Sequence, residues 1–91
     1  MKHDFMQTLI NQLNDKGYRE GYWEDYYPNC NLLWFKGSYK DGNRDGYWEI
    51  YDINGKLSSK GFYKDGKNDG LWEWYHPNHN YKLTYFYANI N

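Results

Sequence analysis

Three glutamates, Glu24, Glu49 and Glu73, each stand directly after a tryptophan, in the strings GYWEDY, GYWEIY and GLWEWY. Recurring carboxylates first suggest the acid/base pair of a glycosidase. That chemistry needs two carboxyls in distinct environments, one holding its proton and one ionised. Equivalent positions of a repeated string have equivalent environments, so hydrolysis is not expected. His76 and His79 share the segment HPNH and could meet at one metal ion. Two ligands on a turn are too few for a structural zinc site, and Cys30 would have to arrive from a turn about 46 residues earlier. Cys30 has no neighbouring base and orienting group, as a catalytic thiol would need. No glycine-rich loop lies between a strand and a helix, so no phosphate cradle is read. The sequence therefore predicts no catalytic centre, metal or cofactor. What remains is non-covalent chemistry, with carboxylates set among tyrosines and lysines recurring at Lys36 and Lys60, and at Lys40 and Lys64. Such a pattern serves either as a solvated face that keeps an aromatic sheet soluble or as a recognition stripe.

The elements that must carry these groups are repeats. The three Gly-aromatic strings begin at Gly21, Gly46 and Gly70, and KGSYKDG and KGFYKDG begin at Lys36 and Lys60. A unit of about 24 residues, K-G-x-Y-K-D-G-x-x-D-G-x-W-E-x-Y, is thus present in two good copies with degenerate ends. Atypical terminal units are what a stacked array requires. Each half-unit alternates as strands do, and Gly/Asn/Asp clusters separate the halves. Six strands are expected, at about 18–26, 32–40, 45–51, 56–64, 69–75 and 81–88. Connections this short force sequential antiparallel pairing. The predicted fold is mainly β: a meander of stacked hairpins in one domain, residues 1–91, with two and a half to three repeats over 17–91.

Ahead of the repeats, Phe5, Met6, Leu9, Ile10 and Leu13 fall at helical spacing. Asp4 suits an N-cap, Gln7 its reciprocal partner and Gly17 the position past the C-terminus. One α-helix over 4–16 is predicted, capping the first repeat. A lone helix this short is marginal in water, so it needs that docking surface.

Strand alternation sorts the repeat residues onto two faces. Trp48 and Ile50 share one, as do Trp72 and Trp74; Tyr47, Glu49 and Tyr51 take the other, matched by Leu71, Glu73 and Tyr75. Gly37 and Gly61 fall mid-strand, where glycine is normally unfavourable unless something lies close against it. A tryptophan ring, Trp48 or Trp72, is expected to fill each slot. The exposed contact set is then Tyr22, Glu24, Tyr47, Glu49, Glu73 and Tyr75. The inverted assignment would put Trp23, Trp48 and Trp72 on the surface. The last strand, Tyr81 to Tyr87, carries only Lys82 as a charge and no proline. Such an edge is sticky. Either residues 88–91 fold over it, or it pairs with a second copy or a partner strand.

Composition bounds the class of partner. Net charge is −1, so no broad attraction to nucleic acid or anionic lipid is expected. No apolar run is long enough to span a membrane. The opening residues are too polar for a signal peptide, and a single cysteine allows no internal disulfide, which together fit a reducing cytoplasm. Leu, Ile, Val and Phe number only 15 of 91, a fraction that ordinarily signals disorder. Here aromatics reach 23% and net charge is near zero, so Tyr and Trp replace the aliphatic core.

The stretch YKDGNRDGYWEIYDINGKLSSKGFYKDGKNDGLWEWY resembles the membrane occupation and recognition nexus (MORN) repeat, above all a bacterial variant associated with antitoxin components. The resemblance covers roughly Lys16 to Tyr87 and is strongest over 63–75. It implies stacked β-hairpins and protein–protein contacts, with phospholipid contact in some members. The leading segment lies outside the motif, and the basic clusters that lipid binding wants are missing. A fainter likeness is to choline-binding cell-wall repeats. The expected function is a non-enzymatic module that blocks or holds another protein, as an antitoxin, an immunity protein or a phage-encoded inhibitor of a defence protein does. The alternatives are a binder of sugars or small ligands on aromatic platforms and a lipid-associated scaffold.

Overall fold

Tight turns of Asn, Asp and Gly cut residues 9–88, the part described by the computed structural model, into seven strands. They are β1 (Gln12–Leu13), β2 (Arg19–Tyr26), β3 (Leu33–Lys40), β4 (Asn43–Tyr51), β5 (Leu57–Lys64), β6 (Lys67–Tyr75) and β7 (Lys82–Tyr87). All pair antiparallel with their chain neighbours, so spatial order equals chain order in one sheet. The β3–β4 and β5–β6 hairpins close over Asp-Gly, with φ of +48 and +84 at Asp41 and Gly42 and of +51 and +83 at Asp65 and Gly66. Two successive positive φ angles match the right-handed twist of the flanking strands.

The predicted meander is present, and the six expected strands are β2 to β7 within a few residues at each end. The predicted helix is not. Residues 4–8 of that span lie outside the described residues, and 9–16 hold no helix but the short strand β1 and a turn. The physical reason lies in NDKGY. The Asn14 side-chain oxygen accepts from the backbone N–H of Lys16 (2.9 Å) and Tyr18 (3.0 Å), and Gly17 takes φ +85. Asp52 does the same to Asn54 (2.9 Å) and Lys56 (3.0 Å), with Gly55 at φ +83. NDKG is therefore the same turn as DING. Its local hydrogen bonds beat a helix too short to stand alone.

Two adjacent rungs run across the sheet from β2 to β7. One is Trp23–Gly37–Trp48–Gly61–Trp72–Tyr85, and beside it on the opposite face runs Glu24–Lys36–Glu49–Lys60–Glu73–Thr84. The dipeptides Trp-Glu and Lys-Gly thus pair head to tail along the array. The slot prediction holds at both glycines: a Cβ on Gly37 would fall inside the Trp48 indole, and one on Gly61 inside that of Trp72. Each indole N–H donates to the carbonyl of the residue after the glycine, Trp48 to Ser38 (3.1 Å) and Trp72 to Phe62 (2.7 Å).

Bulges make this close approach geometrically available. After Gly37↔Trp48 the register jumps to Ser38↔Asp45, leaving Gly46 and Tyr47 unmatched against β3; Gly70 and Leu71 stand likewise against β5. Gly46 and Gly70 take φ +86 and +74, the left-handed turn such a bulge needs. Trp48 and Trp72 are 0% and 2% exposed, so the inverted face assignment is overturned. Edge-to-face contacts link them into a file: Tyr39–Trp48 at 5.0 Å, Trp48–Tyr63 at 5.9 Å and Tyr63–Trp72 at 5.1 Å. Arg44 roofs it, its guanidinium 4.8 Å from the Trp48 ring centre and 3.1 Å from the Tyr63 hydroxyl. A buried indole of this kind contributes roughly 4–6 kcal/mol by area, an upper estimate. A surface ion pair contributes about 0–1 kcal/mol. The Trp/Gly rung therefore holds the sheet together, which frees the Glu/Lys rung for other work.

Candidate functional site

The face opposite the tryptophans carries the whole expected contact set. Tyr22 and Glu24 come from β2, Tyr47 and Glu49 from β4, and Glu73 and Tyr75 from β6, each two residues apart on one strand and so on one side of it. The alternating rung fixes Glu24, Glu49 and Glu73 one full hairpin apart, with Lys36 and Lys60 between them.

Each carboxylate is clamped by phenols. Glu24 accepts from Tyr22 (2.9 Å) on one oxygen and from Tyr26 (3.1 Å) on the other. Glu49 accepts from Tyr47 (2.8 Å) on Oε2 and from Tyr51 on Oε1, and Lys36 lies 3.4 Å from Oε1. In Glu73 all contacts gather on Oε1: Tyr75 at 2.6 Å, Lys82 at 3.3 Å and Lys60 at 4.0 Å. The spacing Tyr-x-Glu-x-Tyr does this because i−2 and i+2 flank residue i on the same face of a strand.

The clamps shift titration in both directions. Partial burial pushes Glu49 up, but the hydroxyls of Tyr51 and Tyr47 and the nearby Lys36 outweigh it and hold the carboxyl below its usual range. The Tyr75 hydroxyl, with Lys82 and Lys60, does the same to Glu73 against a smaller opposing push from burial. The tyrosines move up. Tyr22 and Tyr51 reach about 12, through burial and then their bonds to Glu24 and Glu49; Tyr75 reaches about 12 chiefly through its bond to Glu73. Tyr47 is raised as well, by burial and by Glu49. At neutral pH Glu49 and Glu73 are ionised and hold the neutral phenols of Tyr47, Tyr51 and Tyr75 in fixed orientations.

The expected contact set left out Tyr26 and Tyr51, which complete the clamps, and Lys36 and Lys60, whose recurrence the sequence showed but whose place between the glutamates it did not. The i±2 spacing was the available signal for the first pair, and antiparallel pairing of Lys-Gly with Trp-Glu for the second. It also missed a hollow of about 220 Å³ on this face, lined by Tyr47, Lys60, Gly61, Phe62, Leu71 and Glu73. Gly61 contributes backbone to its lining, and its missing side chain makes room for Trp72 on the other face.

The other singled-out residues fall elsewhere. The His76 ring packs on Tyr81 (4.6 Å between centres) and that of His79 stacks on Tyr75 (5.3 Å), while Cys30 is exposed in the β2–β3 turn. Among the described residues no cluster of three or more His, Cys, Asp or Glu is placed to hold a metal ion, and no helix is long and apolar enough to cross a membrane. No family model, curated protein or solved structure matches the chain.

Proposed function

We propose that the chain is a cytoplasmic, non-enzymatic module of MORN-like hairpins that blocks or sequesters a partner protein through the Tyr/Glu/Lys face. The single observation that carries this reading is the set of phenols fastened to carboxylates on that face, above all Tyr22 and Tyr26 on Glu24 and Tyr47 and Tyr51 on Glu49. Tyrosine gives large amphipathic contact area with few rotatable bonds. Prior fastening removes part of the ordering entropy that binding otherwise loses. The interleaved lysines and glutamates add charge registration, which favours one partner over others more than it adds affinity.

The test is co-purification from native lysate with mass-spectrometric identification, followed by the double variant Tyr47→Ala/Glu49→Ala against the recovered partner. Binding should fall at least tenfold while the melting profile keeps its shape. A double variant that binds its partner as before removes this face from the interaction.

The edge strand β7 supports self-association as a companion proposal. Leu83 and Phe86, which point to opposite faces, are 69% and 66% exposed. Sedimentation should report a dimer that Tyr85→Lys dissociates; a monomer at high concentration rules it out. A sugar platform has one observation in its favour, the exposed Trp34 stacked on Tyr27 at 5.0 Å and 16°. Tryptophan fluorescence unmoved by glycans would dismiss it.

A further inference from the structure

The three clamps are not alike, and the difference sits at the hollow. In the first two repeats the tyrosine two residues before the glutamate donates to Oε2, from Tyr22 to Glu24 (2.9 Å) and from Tyr47 to Glu49 (2.8 Å). The third repeat has Leu71 at that position, which has nothing to donate. Glu73 keeps Tyr75, Lys82 and Lys60 on Oε1, and Oε2 has no hydrogen-bond partner among the described residues. No buried side-chain oxygen among them lacks a partner, so the described residues do not bury Oε2. Glu73 lines the hollow, and Leu71 and Phe62 form its apolar walls with Tyr47.

We propose that this hollow seats a tyrosine side chain supplied by the partner protein, with its ring against Leu71 and the touching pair Phe62 and Tyr47, whose ring centres lie 5.4 Å apart, and its hydroxyl donating to Oε2 of Glu73. The proposal rests on the protein-binding reading above and specifies its anchor. Size selects a single ring. A hollow of about 220 Å³ falls short of the roughly 300 Å³ where small-molecule pockets begin. Charge selects a neutral donor. A carboxylate would meet Glu73, and a cation would meet Lys60 and Lys82, which already neutralise it. Chemistry selects the hydroxyl, because the chain itself meets the same oxygen with a tyrosine in its two other copies. The geometry is a phenol site from which the chain has withdrawn its own phenol. A fixed aromatic anchor in a pocket is also what concentrates binding energy at an interface.

The probe is N-acetyltyrosinamide, titrated into the full chain while the Leu71 methyl resonances are followed by NMR, with N-acetylphenylalaninamide as the matched ligand lacking the hydroxyl. The tyrosine probe should shift those methyls saturably, with a dissociation constant on the order of 1–20 mM for a fragment of this size. The phenylalanine probe should bind about tenfold or more weakly, the weight of one hydrogen bond to a charged acceptor. Leu71→Tyr restores the pattern of the other repeats, so it should fold, melt no lower than the parent and lose the tyrosine probe, read in both proteins from the backbone amide of Gly61, which also lines the hollow. Equal binding of the two probes overturns the proposal, as do unmoved Leu71 methyls or a Leu71→Tyr variant that binds like the parent. The titration needs no partner, so its failure is distinguishable from failure of the face, which is read from the Tyr47/Glu49 double variant.

Discussion

Trp48 lies flat over Gly37 and donates its indole N–H to the neighbouring Ser38 carbonyl at 3.1 Å, and Trp72 repeats both contacts over Gly61 and Phe62. The glycine is a packing requirement here, since its own backbone angle is not left-handed. Any Cβ must displace the best-buried side chains of the sheet.

Gly61→Ala is therefore expected to destabilise the fold by about 2–3 kcal/mol, the upper range for overpacking. For a chain of this length that lowers Tm by roughly 10–20 °C. Thermal melts followed by near-UV circular dichroism check it. A variant that melts with the parent contradicts the packing described for Trp72.

Stability should fall at both ends of the pH scale. Glu49 and Glu73 have folded pKa values below the ordinary carboxyl value, so the unfolded chain takes up protons first and their stabilisation is lost as pH drops from about 4.5 through the folded values. Tyr22, Tyr51 and Tyr75 are raised from 10.0 to about 12, so the unfolded chain loses protons first and stability declines as pH climbs from 10 toward 12. Urea midpoints across pH check both limbs. Glu49→Gln should shallow the acid limb, and an unchanged limb would detach Glu49 from it.

Arg44 should resist conservative replacement. Arg44→Lys loses the planar stack on Trp48 and the bond to the Tyr63 hydroxyl, with an expected loss of about 1–2 kcal/mol. Equal denaturation midpoints for Arg44→Lys and the parent would show that charge alone suffices.

Asn11 closes the other edge of the repeat sheet. Its side-chain amide accepts from the backbone N–H of Glu24 (2.8 Å) and donates to the Glu24 carbonyl (3.1 Å), copying a strand residue's two bonds. Its own φ is +58, so Asn11→Gly keeps the backbone conformation and removes only the amide. Hydrogen exchange at the Glu24 amide should accelerate about tenfold in that variant, consistent with one lost hydrogen bond. Unchanged protection would mean that the amide does not guard this edge.

Much of the meander was legible because each signal was local. Asp-Gly at 41–42 and 65–66 dictated two-residue hairpins, and alternation through Trp48, Glu49 and Ile50 put the indole and the carboxylate on opposite faces. The glycines at 37 and 61 pointed to close approach by a ring, which the tryptophans make. The leading segment misled because its apolar spacing fits a helix while NDKG carries the same turn chemistry as DING, and the turn needs no docking surface to form. Tyr26 and Tyr51 stayed out of the contact set because two-residue spacing was used to sort faces and not to pair side chains along one face.

Residue order alone settled the six repeat strands, their sequence in space and which side chains share a face, because hairpin turns and period-two alternation depend on neighbours along the chain; burial of Trp48 and Trp72 settled which face is covered. Only the three-dimensional arrangement decided which oxygen of Glu73 is satisfied and which is left without a partner among the described residues. That outcome depends on side chains from three strands, β5, β6 and β7, converging at Glu73, and contacts across strands leave no mark in any single stretch of sequence.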